Sequence, residues 1–136
     1  HIATEFVVRL SSESTAPPLP VIALTTDTST LTAAANDFGF DHIFARQIEA
    51  LGVKGDFLLV ISTSGNSPNL IKAVETAENI GMETGAFLGK TGGFLGRQVR
   101  YPVIVEGNDT GHIQEVQILL GHVLCELVQN SFQQKK

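Results

Sequence analysis

The stretch Gly55-Asp56-Phe57-Leu58-Leu59-Val60-Ile61-Ser62-Thr63-Ser64-Gly65-Asn66-Ser67-Pro68 decides the fold of this chain. Phe57 to Ile61 is an unbroken apolar run between a Gly-Asp turn and a loop of hydroxyls and glycine. A short run without polar alternation suits a strand covered on both faces, as in a parallel sheet. Ser67-Pro68 then opens a helix. Ser suits the N-cap, and Pro, which has no N–H to satisfy, suits the first helical position. Leu70, Ile71, Val74, Ala77 and Ile80 recur at helical spacing, and Gly81 stops the helix.

Downstream, Ala86 to Leu88 and Val103 to Val105 read as further strands, with Gly89 to Gly96 a glycine-rich connection. A last helix runs from about His112 to Ser131. Its apolar side holds Ile113, Val116, Leu120, Val123, Leu124, Leu127 and Val128. Upstream, residues 1–10 read as a helix end and residues 11–20 as a Ser/Pro loop. Val21 to Leu24 read as a buried strand followed by a turn. Thr28 to Ala35 form a short helix and Asn36 to Phe40 a loop. Asp41 caps a helix that ends at Leu51 before Gly52. Strands alternating with helices make this an α/β chain, an open parallel sheet flanked by helices on both faces.

Apolar residues are 43% of the 136, so one domain can bury a sizeable core without staples. Charged residues are only 17%, below the usual quarter, which suggests surface buried against another subunit. The net charge is −5, and Lys135-Lys136 is the one basic cluster; this argues against nucleic acid. The single cysteine, Cys125, excludes an internal disulfide and reads as a packed small apolar residue. There is no apolar run long enough to span a membrane. The chain starts at His1, not Met, and opens mid-pattern. Residues 1–136 therefore read as a single domain, N-terminally incomplete.

The sharpest chemical signal is Ser62-Thr63-Ser64-Gly65-Asn66-Ser67. Open parallel sheets bind ligands beyond the carboxyl ends of their strands, and the next helix presents free N–H groups there. Hydroxyls and a glycine at that point suit a phosphate ester; a capped helix after a polar turn is the bland alternative. Without a lysine it is not a Walker-type loop. His1 and Glu5 stand four apart, a spacing that serves one metal, one proton path, or a merely solvated helix face. Gln114 and His122 share the last helix, about 12 Å apart along it and roughly 80° round it. Alone, His122 among its leucines and valines reads as a partly buried histidine. Glu115 and Glu126 read as solvated or interface charges, and Asn36 and Asp37 as turn residues or hydroxyl binders.

Several segments together resemble the sugar isomerase (SIS) family and, within it, the sedoheptulose-7-phosphate or phosphoheptose isomerases. They are Asn36-Asp37-Phe38-Gly39-Phe40 with Ile43-Phe44, the Gly55–Ser67 stretch, Gly89-Lys90 with Gly92-Gly93, and Ile113-Gln114-Glu115 with His122. The resemblance implies a five-stranded parallel sheet in a three-layer, flavodoxin-like arrangement. It also implies a first strand and an N-terminal arm that precede His1, and a cytoplasmic homotetramer with no membrane partner. The activity implied is the interconversion of sedoheptulose 7-phosphate and D-glycero-D-manno-heptose 7-phosphate through an enediol, for lipopolysaccharide or other glycan synthesis. Glu5 and His122 match the catalytic pair. His1, Glu5, Gln114 and His122 match the ligands of a Zn²⁺ ion found in some members. Ser62, Thr63, Ser64 and Ser67 match the phosphate loop, and Asn36, Asp37 and Gln114 match substrate contacts. The chain departs from the family at Gly111-His112, where Asp-Arg is usual, at Thr91 for an Asp, and at Val8 for a Gly. Relatives that bind the bacterial replication initiator protein without catalysis lack the histidine matched by His122, which favours the enzyme. A phosphosugar-binding SIS protein of other specificity is the remaining alternative.

Overall fold

In the computed structural model, which describes residues 1–133, the Phe57–Ile61 run becomes strand β1 (Phe57–Ser62). It pairs in parallel with β2 (Glu83–Gly89), which pairs in parallel with β3 (Tyr101–Val105). The order is β1-β2-β3. Six helices accompany the sheet among the described residues: α1 (Ile2–Val7), α2 (Thr28–Phe38), α3 (Ala45–Leu51), α4 (Pro68–Ile80), α5 (Leu95–Gln98) and α6 (Thr110–Gln133). The chain divides into two compact units, residues 24–114 and residues 1–23 with the segment from 115 onward.

Within residues 24–114 the register puts Leu58, Val60 and Ser62 on one sheet face with Thr84, Ala86 and Leu88. That face is the core. Val60, Val74, Ala86, Leu88, Leu95 and Val99 are buried together, with Leu58, Leu70 and Ile71 packed against them. The apolar stripe of α4 thus meets the sheet as its spacing dictates. Each fully buried leucine or valine here contributes about 1.5–3 kcal/mol by leaving water. A second cluster joins Ile48 of α3 to Ala73 and Ala77 of α4. The other sheet face carries Phe57, Ile61, Tyr101 and Val103, all more than 40% exposed, with Phe57 and Tyr101 stacked across Gly85. Ile113, 1% exposed, sits against that face at Gly89. Pro68 opens α4 as the sequence requires, and Gly81 closes it in the left-handed region at φ +89°.

The amino-terminal half differs from the sequence reading in three places. Val21 to Leu24 is not a strand: no described strand offers it ladder partners, and Ile22 is 67% exposed. Three strands, against the five that the resemblance implies, make up the sheet among the described residues. Asn36, Asp37 and Phe38 are the last turn of α2, not a loop, and the chain turns only at Gly39, φ +89°. Asp41 lies in a 3₁₀ turn, Phe40–His42, and α3 begins after Phe44 without a side-chain cap. A single 3₁₀ turn closes with i→i+3 bonds, so here the helix start needed no capping carboxylate.

In the other unit, α1 lies along α6. The buried positions of α6 there are Gln117, Gly121, Cys125 and Gln129, every fourth residue. Of the apolar side read from the sequence, Ile113 is buried and Leu120, Leu124 and Val128 are half-buried, but the rest is not. Val116 (39% exposed), Leu119 (58%), Val123 (43%) and Leu127 (64%) face outward. The helices approach closely at Gly121: a Cβ there would stand 2.6 Å from the Ile2 Cδ1, so a larger residue would require the Ile2 side chain to shift. The Gln129 amide donates to the Glu5 carbonyl (2.8 Å) and accepts from Ser14 Oγ (3.3 Å). A polar residue is buried because it satisfies backbone that apolar side chains could not.

Candidate active site

The chain places His1, Glu5 and His122 together. His1 precedes α1 and Glu5 lies in its first turn, so the i, i+4 spacing brings His1 Nε2 to 3.5 Å from Glu5 Oε1. His122 projects from α6 to the same point. Its Nε2 stands 2.9 Å from His1 Nε2, with the two rings tilted by 60° and their centroids 5.1 Å apart. The His1–His122 contact is a hydrogen bond only while one ring keeps a bare Nε2, so the pair holds at most one proton between those atoms. The Glu5 side chain is 14% exposed and that of His1 57%. A shielded carboxylate beside two imidazoles, one of them open to solvent, supplies the group types that proton transfer needs.

The donor types, two imidazole nitrogens and a carboxylate oxygen, are those zinc accepts. Their spacing is that of hydrogen bonds, and no group of three or more His, Cys, Asp or Glu among the described residues forms a metal cage. Gln114 is exposed and belongs to the unit of residues 24–114. Cys125 is buried one turn from His122, and its thiol is pushed up from its ordinary range by burial first and the Glu5 charge second.

In residues 24–114 the hydroxyl loop leaves β1 and enters α4. Ser62 is turned inward, 7% exposed; its Oγ accepts from Gly65 N (3.0 Å) and lies 3.3 Å from Ser67 Oγ. Ser64 Oγ accepts from Asn66 N at 3.2 Å. Thr63, Ser64 and Ser67 are half-buried, and Ser67 makes no side-chain cap bond to α4. Ser62 therefore builds the turn, while Thr63, Ser64 and Ser67 keep a share of exposed surface. Asn36 and Asp37 are exposed at the end of α2, with Asn36 Nδ2 donating to Asp37 Oδ1 at 2.8 Å.

Two features escaped the sequence reading. Asn66 holds the hydroxyl loop to the glycine turn after β2: its Oδ1 accepts from Phe94 N (2.9 Å) and its Nδ2 donates to Ser64 O (3.1 Å). The signal was present, since Asn follows the only glycine of the loop, but its partner is 28 residues away. Asp109 caps α6 through His112 N (2.9 Å), so its carboxylate, two residues before the Gly111 departure, is already engaged at the helix start. A cavity of about 450 Å³ at the carboxyl ends of β2 and β3 is lined by Lys90, Thr91, Ile104, Glu106, Gly107 and Asn108. None of the expected site residues lines it.

Comparison with known proteins follows the same lines. A family model described as SIS domain matches residues 1–89. The chain is 52% identical to a phosphoheptose isomerase of Aquifex aeolicus over 95% of its own length, and spans 66% of that relative. It is 47% identical to one from Helicobacter pylori, spanning 69% of it. Among solved structures it superposes on a phosphoheptose isomerase from Francisella tularensis with a TM-score of 0.89 at 39% identity, covering 96% of this chain and 69% of that one. The chain thus spans just under two thirds of its Aquifex relative.

Proposed function

The chain belongs to the SIS domain family, among the phosphoheptose isomerases, and on that premise we propose that it serves aldose–ketose isomerisation of a heptose 7-phosphate. One observation carries the reading. His1 and His122, 121 residues apart, meet within 2.9 Å beside the Glu5 carboxylate. Isomerisation needs a base to take a proton from the carbon next to the carbonyl. The C–H electron pair becomes the enediol double bond, and the carbonyl oxygen takes a proton. Glu5 is the base and returns its proton to the neighbouring carbon. His122 moves the proton between the two oxygens, and His1 holds both partners in place.

The half-buried hydroxyls of Thr63, Ser64 and Ser67, at the head of α4, are suited to the phosphate oxyanion, with Ser62 shaping the turn. The exposed Asn36 and Asp37 suit sugar hydroxyls. A zinc ion on His1, Glu5, Gln114 and His122 rests on the family resemblance alone, since His1, Glu5 and His122 stand at hydrogen-bond spacing from one another and form no metal cage. The reading includes a homotetramer in the cytoplasm. The exposed stripe of Val116, Leu119, Val123 and Leu127 supports self-association, since outward apolar faces of this kind are covered in assemblies.

The test is conversion of sedoheptulose 7-phosphate to the aldose by the intact protein, with zinc content and native mass measured alongside. Aldose formation that Glu5→Gln and His122→Ala abolish supports the reading. Absence of product from the folded protein overturns it.

A further inference from the structure

The hydroxyl loop is held from outside itself. Asn66 Oδ1 accepts from Phe94 N, Asn66 Nδ2 donates to Ser64 O, and Leu95 N donates to Gly65 O at 3.0 Å. Two glycines facing each other, Gly65 in the loop and Gly93 in the turn, leave no spare room. A Cβ on Gly93 would stand 2.5 Å from Ser64 O and 2.7 Å from Asn66 Oδ1, and one on Gly65 would stand 2.0 Å from Gly92 O. Both glycines have positive φ, +66° at Gly65 and +56° at Gly93. The loop and the turn therefore interlock by backbone contact, and the Asn66 side chain bonds to both.

We propose that Asn66 is a positioning residue for phosphate recognition. Bridging Ser64 and Phe94, it fixes the loop so that the Thr63, Ser64 and Ser67 hydroxyls meet the phosphate oxygens without reordering. The inference rests on the phosphate-loop reading given above. A loop that must order on binding weakens the ligand by the cost of ordering, whereas a pre-ordered loop does not. Asn66 is remote in sequence from Glu5 and His122 and moves no proton, so its loss should weaken binding without slowing chemistry.

The experiment uses the intact protein, with steady-state kinetics on sedoheptulose 7-phosphate and inorganic phosphate as competing probe. Asn66→Ala, and the milder Asn66→Ser should the first not fold, are each expected to raise KM and the phosphate inhibition constant together by about tenfold, the effect of one or two lost hydrogen bonds. Their kcat should stay within about twofold. Gly93→Ala should give the same split. Ser67→Ala tests the underlying reading: it should raise the phosphate inhibition constant by itself. If Ser67→Ala raises that constant and the Asn66 variants do not, the positioning role is wrong while the phosphate loop stands. A fall in kcat with unchanged KM also overturns the role. If neither Ser67 nor Asn66 variants move the phosphate constant, the phosphate-loop reading fails and the inference with it.

Discussion

The Nε2 atoms of His1 and His122 stand 2.9 Å apart, although 121 residues separate them in the chain. The contact exists because α1 runs against the Gly121, Cys125 and Gln129 positions of α6, one turn of which also presents His122. It ties the proposed chemistry to the packing of two helices.

Removing the imidazole of His122 or the charge of Glu5 should lower isomerase kcat by about 10²–10⁴-fold, the usual worth of a positioned acid or base. The melting temperature should change little for His122→Ala, because that side chain is only half-buried. Kinetics and thermal melts on the same preparations check both halves.

Gln129→Leu should destabilise the fold by about 1–3 kcal/mol, since it leaves the Glu5 carbonyl without its donor. Urea unfolding measures the loss. The same variant should also lower kcat, because the α1 backbone that carries Glu5 loses an anchor.

Gly65→Ala should cost at least about 2 kcal/mol, combining a left-handed φ with a clash against backbone that cannot swing aside. Gly39→Ala meets no atom within 4 Å and should cost only the strain of its positive φ. Comparing the two by denaturant unfolding separates clash from strain.

Asp27 caps α2. Its carboxylate accepts from the Thr30 N–H (3.1 Å) and hydroxyl (2.8 Å), which hold it below the ordinary carboxylate range. A lowered folded value means the cap stabilises above the unfolded carboxylate range, and that stabilisation is lost as pH falls through the folded value. Asp27→Asn should therefore flatten the acid side of the stability–pH curve, read as melting temperature from pH 6 downward.

Cys125 should resist thiol reagents in the folded protein and react readily once unfolded, because burial and the Glu5 charge both disfavour its thiolate. Since its folded value is raised, stability should fall as pH climbs from the ordinary thiol range through that value. Glu5→Gln removes the charge contribution and should make Cys125 modestly more reactive.

By itself the sequence determined β1, the hydroxyl turn and α4, because each signal there is local: an apolar run, a Ser-Pro start and a glycine stop that the chain satisfies within a few residues. It also determined that His1 and Glu5 share one helical face, and placed β2, β3 and α6 to within a few residues at most ends. Tertiary structure alone decided which face of α6 is buried. Apolar spacing reports that a stripe dislikes water, not what approaches it, and here α1 packs over Gly121 and Cys125 while Val116, Val123 and Leu127 stay exposed. It likewise decided that Val21 to Leu24 would not be a strand, since a strand is defined by a neighbour's hydrogen bonds. The His1–His122 pair and the Asn66–Phe94 bond belong to the same class. Each joins groups far apart in the chain, and no local propensity encodes a contact that exists only once the helices and strands have packed.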